Sequence, residues 1–131
     1  MSGILTGKYN DGIPAGSRMT QSGYEWLQDR LTVHRSTGVI DKVKQLTAFA
    51  NNELGCSMTQ LALAWCVKNP NVSTVLLGAT KPEQLAENLG AIGVARRMST
   101  AHIERIEGIL GNKPDSYGGY GGAGMRTLDT L

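Results

Sequence analysis

The sequence predicts an α/β fold of which only part lies within the 131 residues. Three observations lead there. An apolar run of strand type, Ser73 to Leu77, closes on Gly78 and passes straight into a helix. Three or four long amphipathic segments carry helix start and stop signals. Finally, beside that one good strand there is at most a fragment at Gly3–Leu5. A lone strand between helices has no partner for its ladder hydrogen bonds, and unpaired buried backbone is costly. Most of the sheet is therefore expected elsewhere.

In chain order, residues 3 to 18 are rich in Gly and Pro and lack periodicity, which reads as a loop. Lys8 and Arg18 punctuate it, with Ser17 beside the second. By themselves they read as solvated charges on a turn. Residues 21 to 36 hold Tyr24, Trp26 and Leu27 and then a mixed charged stretch, predicting a short helix and a turn without chemistry. From Val39 a clearer helix begins, with Val43, Leu46 and Ala50 following in steps of four, three and four and Phe49 and Leu54 widening the stripe. Gly55 is placed as its terminator. Ser57 and Gln60 form a capping box for the next helix, which is apolar almost all round, suits a position between neighbours, and stops at Asn69–Pro70.

The most informative stretch is LLGATKPEQLAENLGAI, Leu76 to Ile92. Thr80 and Glu83 stand three apart as a capping box, and Pro82 lies in the first turn, where its missing N–H costs nothing. Leu85, Leu89 and Ile92 make an apolar stripe at i, i+4, i+7, while Gln84, Glu87 and Asn88 gather on another face. Two readings stay open. One is a capped surface helix with an ordinary polar face. The other is an anion site, because free N–H groups and the helix dipole point the same way at such a terminus. Beyond it, Ser99 caps a last helix lined by Ile103, Ile106, Ile109 and Leu110 and ended by Gly111. The Gly-rich end, residues 115–131, is low in bulky apolar groups and is expected to be disordered.

Bulk properties exclude several classes. A formal charge of +2 is too small to argue for nucleic acid or a membrane surface. No apolar run approaches a membrane span, and no signal peptide is visible. Cys56 and Cys66 are read as buried, reduced thiols of a cytoplasmic protein, and His34 and His102 are too isolated for a metal site. FANNELGCSMTQLALAW has the outline of a helix-turn-helix, a remote DNA-binding alternative. Its second helix is too apolar to present polar side chains to base edges.

LLGATKPEQLAENLGAI resembles the C-terminal coenzyme segment of aldo-keto reductases, and so, in the same order, do GILTGKYNDGIP followed by SR, LGCSMTQLALAWCVKNP and GNKP. The likeness runs from about Gly3 to Pro114 and is nearest the β subunits of Shaker-type voltage-gated potassium channels, which share the reductase fold. It implies that residues 1–114 are the C-terminal portion of a (β/α)8 TIM barrel: its last two βα units and C-terminal helix, starting after strand seven. A whole barrel needs about 250 residues. It further implies an NADP(H) site. Gly3 would be among the coenzyme-binding residues, with Lys8 near the pyrophosphate, Ser17 and Arg18 near the adenosine phosphate, Gly78 and Thr80 at that phosphate, and Gln84, Glu87 and Asn88 around the adenosine. Gly16 departs from close relatives, which often carry an aromatic there.

The family's tyrosine general acid, its lysine and aspartate, and its carbonyl-placing histidine or asparagine come from the first half of the barrel. No segment here matches those motifs, so no catalytic residue is assigned. The resemblance implies, for a full-length parent, hydride transfer from NADPH to an aldehyde or ketone. It also implies a potassium channel α subunit as partner, a homotetramer, and a cytoplasmic protein brought to the membrane through the channel. This chain alone is expected to be inactive. The alternative is a truncated interaction chain that pairs with full-length subunits or a channel.

Overall fold

The computed structural model describes residues 3–113. Every regular element among them is helical: α1 (Glu25–Ser36), α2 (Val39–Phe49), α3 (Met58–Lys68), α4 (Pro82–Leu89), α5 (Ala91–Arg97) and α6 (Thr100–Leu110), with 3-10 turns at Ile4–Thr6 and Arg18–Thr20 and a π turn at Ala50–Leu54. No described helix is long and apolar enough to cross a membrane. The Gly-rich tail lies outside the described residues.

Local signals placed most helix ends correctly. Ser57 caps α3: its hydroxyl accepts from the Gln60 N–H at 3.2 Å while the Gln60 side chain accepts from the Ser57 N–H at 3.2 Å. Ser99 caps α6 in the same way, with His102 in the reciprocal role. Gly55 and Gly111 stop their helices with φ of 57°, a left-handed conformation that costs glycine little. Only α1 exceeds its expected length.

The core joins one face of each long helix. Leu27 and Leu31 of α1, Ile40, Val43, Leu46 and Phe49 of α2, Met58, Leu61 and Ala64 of α3, and Ala91, Val94 and Ala95 of α5 are all buried, with Tyr9 and Met19 fully inside. Among the described residues no charged side chain is buried. Polar ties hold the layers at their rims. Lys42 donates to the Leu110 carbonyl between α2 and α6, Arg97 to the Leu54 carbonyl at 3.3 Å, and the Trp65 indole N–H to Glu107 at 3.1 Å.

Three expectations are corrected. The first concerns the strands. Residues 73–77 have no regular structure, and Leu76 is 91% exposed. Gly3–Leu5 belongs to a 3-10 turn whose Ile4 is buried. Both segments have strand-type sequence, but among the described residues there is no strand edge to take their ladder bonds.

The second concerns the stretch after Gly78. One helix was expected, with Leu85, Leu89 and Ile92 facing inward; two form, and those residues are 45%, 52% and 48% exposed. The break falls at Gly90, where the Gln60 side chain of α3 comes so close that a Cβ would stand 2.4 Å from its Nε2. Gly90 is right-handed, so its backbone does not require glycine; a Cβ there would instead have to displace the end of the Gln60 side chain, which donates to the Glu87 carbonyl. The turned axis lays Ala91, Val94, Ala95 and Met98 against the core instead.

The third concerns exposure of the apolar helix α3. Its outer face leaves Trp65 and Val67 exposed and Cys66 only half-buried, whereas Cys56 is buried as expected.

Candidate functional site

The N-terminal loop presents the first group of expected site residues. Gly3, at φ 83°, opens the Ile4–Thr6 turn, and the Lys8 stem folds back over it, its Cε 3.2 Å from where a Cβ would stand. A side chain at position 3 would push Lys8 away. The Lys8 ammonium lies 4.9 Å from the Tyr9 ring centroid, a cation–π contact that fixes it above a fully buried ring. Tyr9 is held in turn by Arg35, which donates to its carbonyl at 3.3 Å, and Asn10 donates to Thr47 of α2 at 3.2 Å.

Further along, the turn Arg18–Thr20 is anchored by buried Met19 and by Gln28 of α1, whose side-chain amide donates to the Met19 carbonyl at 2.6 Å. Arg18 thereby lies over α1, its guanidinium 5.9 Å from the Tyr24 ring. The Ser17 hydroxyl is a buried polar atom with no hydrogen-bond partner among the described residues. The ion pair seen among those residues is Lys44 with Asp11 at 3.5 Å, so neither Lys8 nor Arg18 is neutralised by a described carboxylate.

The second group surrounds the start of α4. The expected Thr80–Glu83 capping box does not form. Lys81 is the N-cap residue, without a side-chain bond, and Pro82 takes the first helical position. Gln84 reaches back instead: its carbonyl oxygen accepts from the Thr80 N–H at 2.8 Å and lies 3.1 Å from the Thr80 hydroxyl. The cap is thus replaced by a closure one residue longer, for which Gln has the reach. Ala79, Thr80, Lys81, Pro82 and Leu85 line a surface hollow of about 250 Å³ there. Glu87 is turned toward α3, where it accepts from the Ser57 hydroxyl at 2.7 Å. Its carbonyl accepts from Gln60 at 3.0 Å, and Asn88 beside it is half-buried.

No hydrogen bond or ion pair among the described residues joins the two groups. Chemically, the first offers cations and an unpartnered hydroxyl, suited to phosphate oxygens, and the second offers a helix N-terminus and amide side chains. The donor set therefore suits a phosphate-bearing coenzyme. Thr80, however, spends its amide on Gln84, so an anion at Thr80 would have to displace that side chain. Among the described residues no cluster of metal ligands occurs.

The structure adds residues that the sequence reading passed over. Trp26, Arg30 and His34 recur at i, i+4, i+8 on α1 and face Arg18 across a groove of about 320 Å³ floored by Ile4 and Leu27. The four-residue spacing of an aromatic, a cation and an imidazole was the available signal.

The family model of the Aldo/keto reductase family matches residues 1–110, and the chain belongs to that family. Its members generally use NAD(P)H, and the family defines an oxidoreductase.

Proposed function

We propose that this chain is the NADP(H)-binding, C-terminal part of an aldo-keto reductase barrel, of the potassium channel β-subunit branch. The observation that carries the reading is family membership across residues 1–110, together with strand-type segments at 73–77 and Gly3–Leu5 that have no strand partner among the described residues. A barrel sheet built from further chain would supply those partners.

In this reading Lys8 sits by the pyrophosphate and Gly3 leaves room for its stem. Ser17 and Arg18 meet the adenosine phosphate, the hydroxyl as a donor otherwise unused and the guanidinium as a planar fork. Gly78 and Thr80 bring the α4 N-terminus to the same phosphate, with Gln84, Glu87 and Asn88 about the adenosine. Bound NADPH supplies a hydride to the carbonyl carbon of an aldehyde or ketone. This chain's residues bind and orient the coenzyme, while the proton donor belongs to the remainder of the barrel, so the chain alone turns nothing over. A channel α subunit and a homotetramer are the partners of the parent.

The test is coenzyme choice in a parent carrying this segment. NADPH should be preferred over NADH, and Arg18→Ala should narrow the ratio of kcat/KM values by raising KM for NADPH alone. Equal loss with both coenzymes would remove Arg18 from the 2′-phosphate. A second reading, an interaction chain that pairs with full-length subunits, is favoured by the exposed Leu76, Leu77, Leu85, Leu89 and Ile92.

A further inference from the structure

Between α3 and α4 the chain leaves a stretch of backbone unused. From Ser73 to Ala79 there is no regular structure, and no main-chain N–H or C=O of these residues makes a hydrogen bond among the described residues. None of them has a positive φ, so no left-handed turn interrupts the segment. Val75 is half-buried, Leu77 is 40% exposed and Leu76 is 91% exposed. Free ladder groups carrying apolar and β-branched side chains form an edge onto which another extended chain can pair.

Charge and register identify that chain. From Asn69 to Thr80 the sequence holds no charged residue, and Lys68 and Lys81 bound the stretch. Such an edge has nothing with which to select an acidic or basic peptide, while identical copies meet along it without repulsion. In a parallel, in-register pair Lys81 would stand against Lys81, a destabilising arrangement. An antiparallel pair centred on Leu76 avoids this, because Lys81 then faces Asn71. The same register sets Leu76 against Leu76 and Val75 against Leu77, so every bulky apolar side chain of the segment meets another. A slip of one residue either way leaves Val75 opposite Gly78 or Leu77 opposite Thr74. Pro70 and Pro82 stand opposite each other in this register, and since neither has an N–H to donate, the ladder stops at both ends.

We propose that residues 73–79 pair with the same residues of a second copy of this chain, as a two-stranded antiparallel sheet whose two-fold axis passes through Leu76. This goes beyond the barrel reading, in which the neighbouring strands belong to further chain, and it involves no coenzyme residue on α4.

The test is sedimentation equilibrium of the full chain, with circular dichroism as the check on folding. The unaltered chain should dimerise reversibly, and because an isolated two-stranded sheet is marginal in water its Kd should be weak, about 10⁻⁴ M. Leu76→Lys and Leu76→Glu should each weaken the dimer at least about tenfold at unchanged helicity, since either sets like charges face to face at the axis. An equimolar mixture of those two variants should regain the dimer to within about threefold, because a register that pairs position 76 with itself brings the opposite charges together. Leu89→Lys, on the exposed stripe of α4, should change Kd by less than about twofold. A chain that stays monomeric at about 1 mM, a mixture that stays monomeric, or a dimer weakened as much by Leu89→Lys as by Leu76→Lys would each overturn the proposal.

Discussion

Ser57 is the side chain whose removal tests the observed arrangement around α4 most directly. Its hydroxyl closes the α3 capping box and also donates to Glu87 at 2.7 Å, so it ties the start of one helix to the body of the next. In Ser57→Ala the Gln60 half of the box survives, because it uses the Ser57 main-chain N–H. Loss of an N-cap side chain costs about 1 kcal/mol. The hydrogen bond to Glu87 is exposed and screened, and adds about 0.5 kcal/mol. Ser57→Ala should therefore lower the unfolding free energy by about 1.5 kcal/mol in urea titrations followed by circular dichroism, with an unchanged m value. In a Glu87→Ala background the cost of Ser57→Ala should fall to the cap alone, about 1 kcal/mol. Thr80→Ala is the control. Its hydroxyl caps nothing, so the cost should stay within about 0.5 kcal/mol. If Thr80→Ala costs as much as Ser57→Ala, the Thr80–Glu83 box forms after all and the observed start of α4 is wrong. The pair also bears on function: Glu87 cannot face a coenzyme without releasing Ser57.

Two further perturbations address the core and the unpartnered apolar segment. Burial pushes the Cys56 thiol above its ordinary value, opposed by the Arg97 charge, so the folded state keeps that margin in full below the unfolded thiol's pKa and loses it as pH rises toward the folded value. Iodoacetamide should thus modify Cys66 well before Cys56 in the native chain, and Cys56→Ala should flatten the alkaline limb of stability; equal modification rates would place Cys56 at the surface. Leu76→Lys, at a 91% exposed site, should change unfolding free energy by less than about 0.5 kcal/mol and should reduce self-association in sedimentation experiments. A larger loss of stability would mean that residues 73–77 are packed.

What the sequence determined by itself is local. Ser57 with Gln60, Ser99, Gly55, Gly111 and Asn69–Pro70 set helix ends through hydrogen bonds and dihedral preferences that span a few residues, so pattern alone located them. The stripe Val43, Leu46, Phe49 was equally plain, and the segments resembling aldo-keto reductases led to the family that residues 1–110 match. The tertiary structure decided whatever depends on a partner surface. Periodicity made Leu85, Leu89 and Ile92 one apolar stripe, but the helix breaks at Gly90, beside the Gln60 side chain of α3, and all three are exposed. Strand-type sequence at 73–77 could not become a strand without a neighbouring edge. Arg18 lines one groove with Trp26 and Arg30, and Gln28 ties its turn to α1, an arrangement of separate segments that no spacing within one segment encodes.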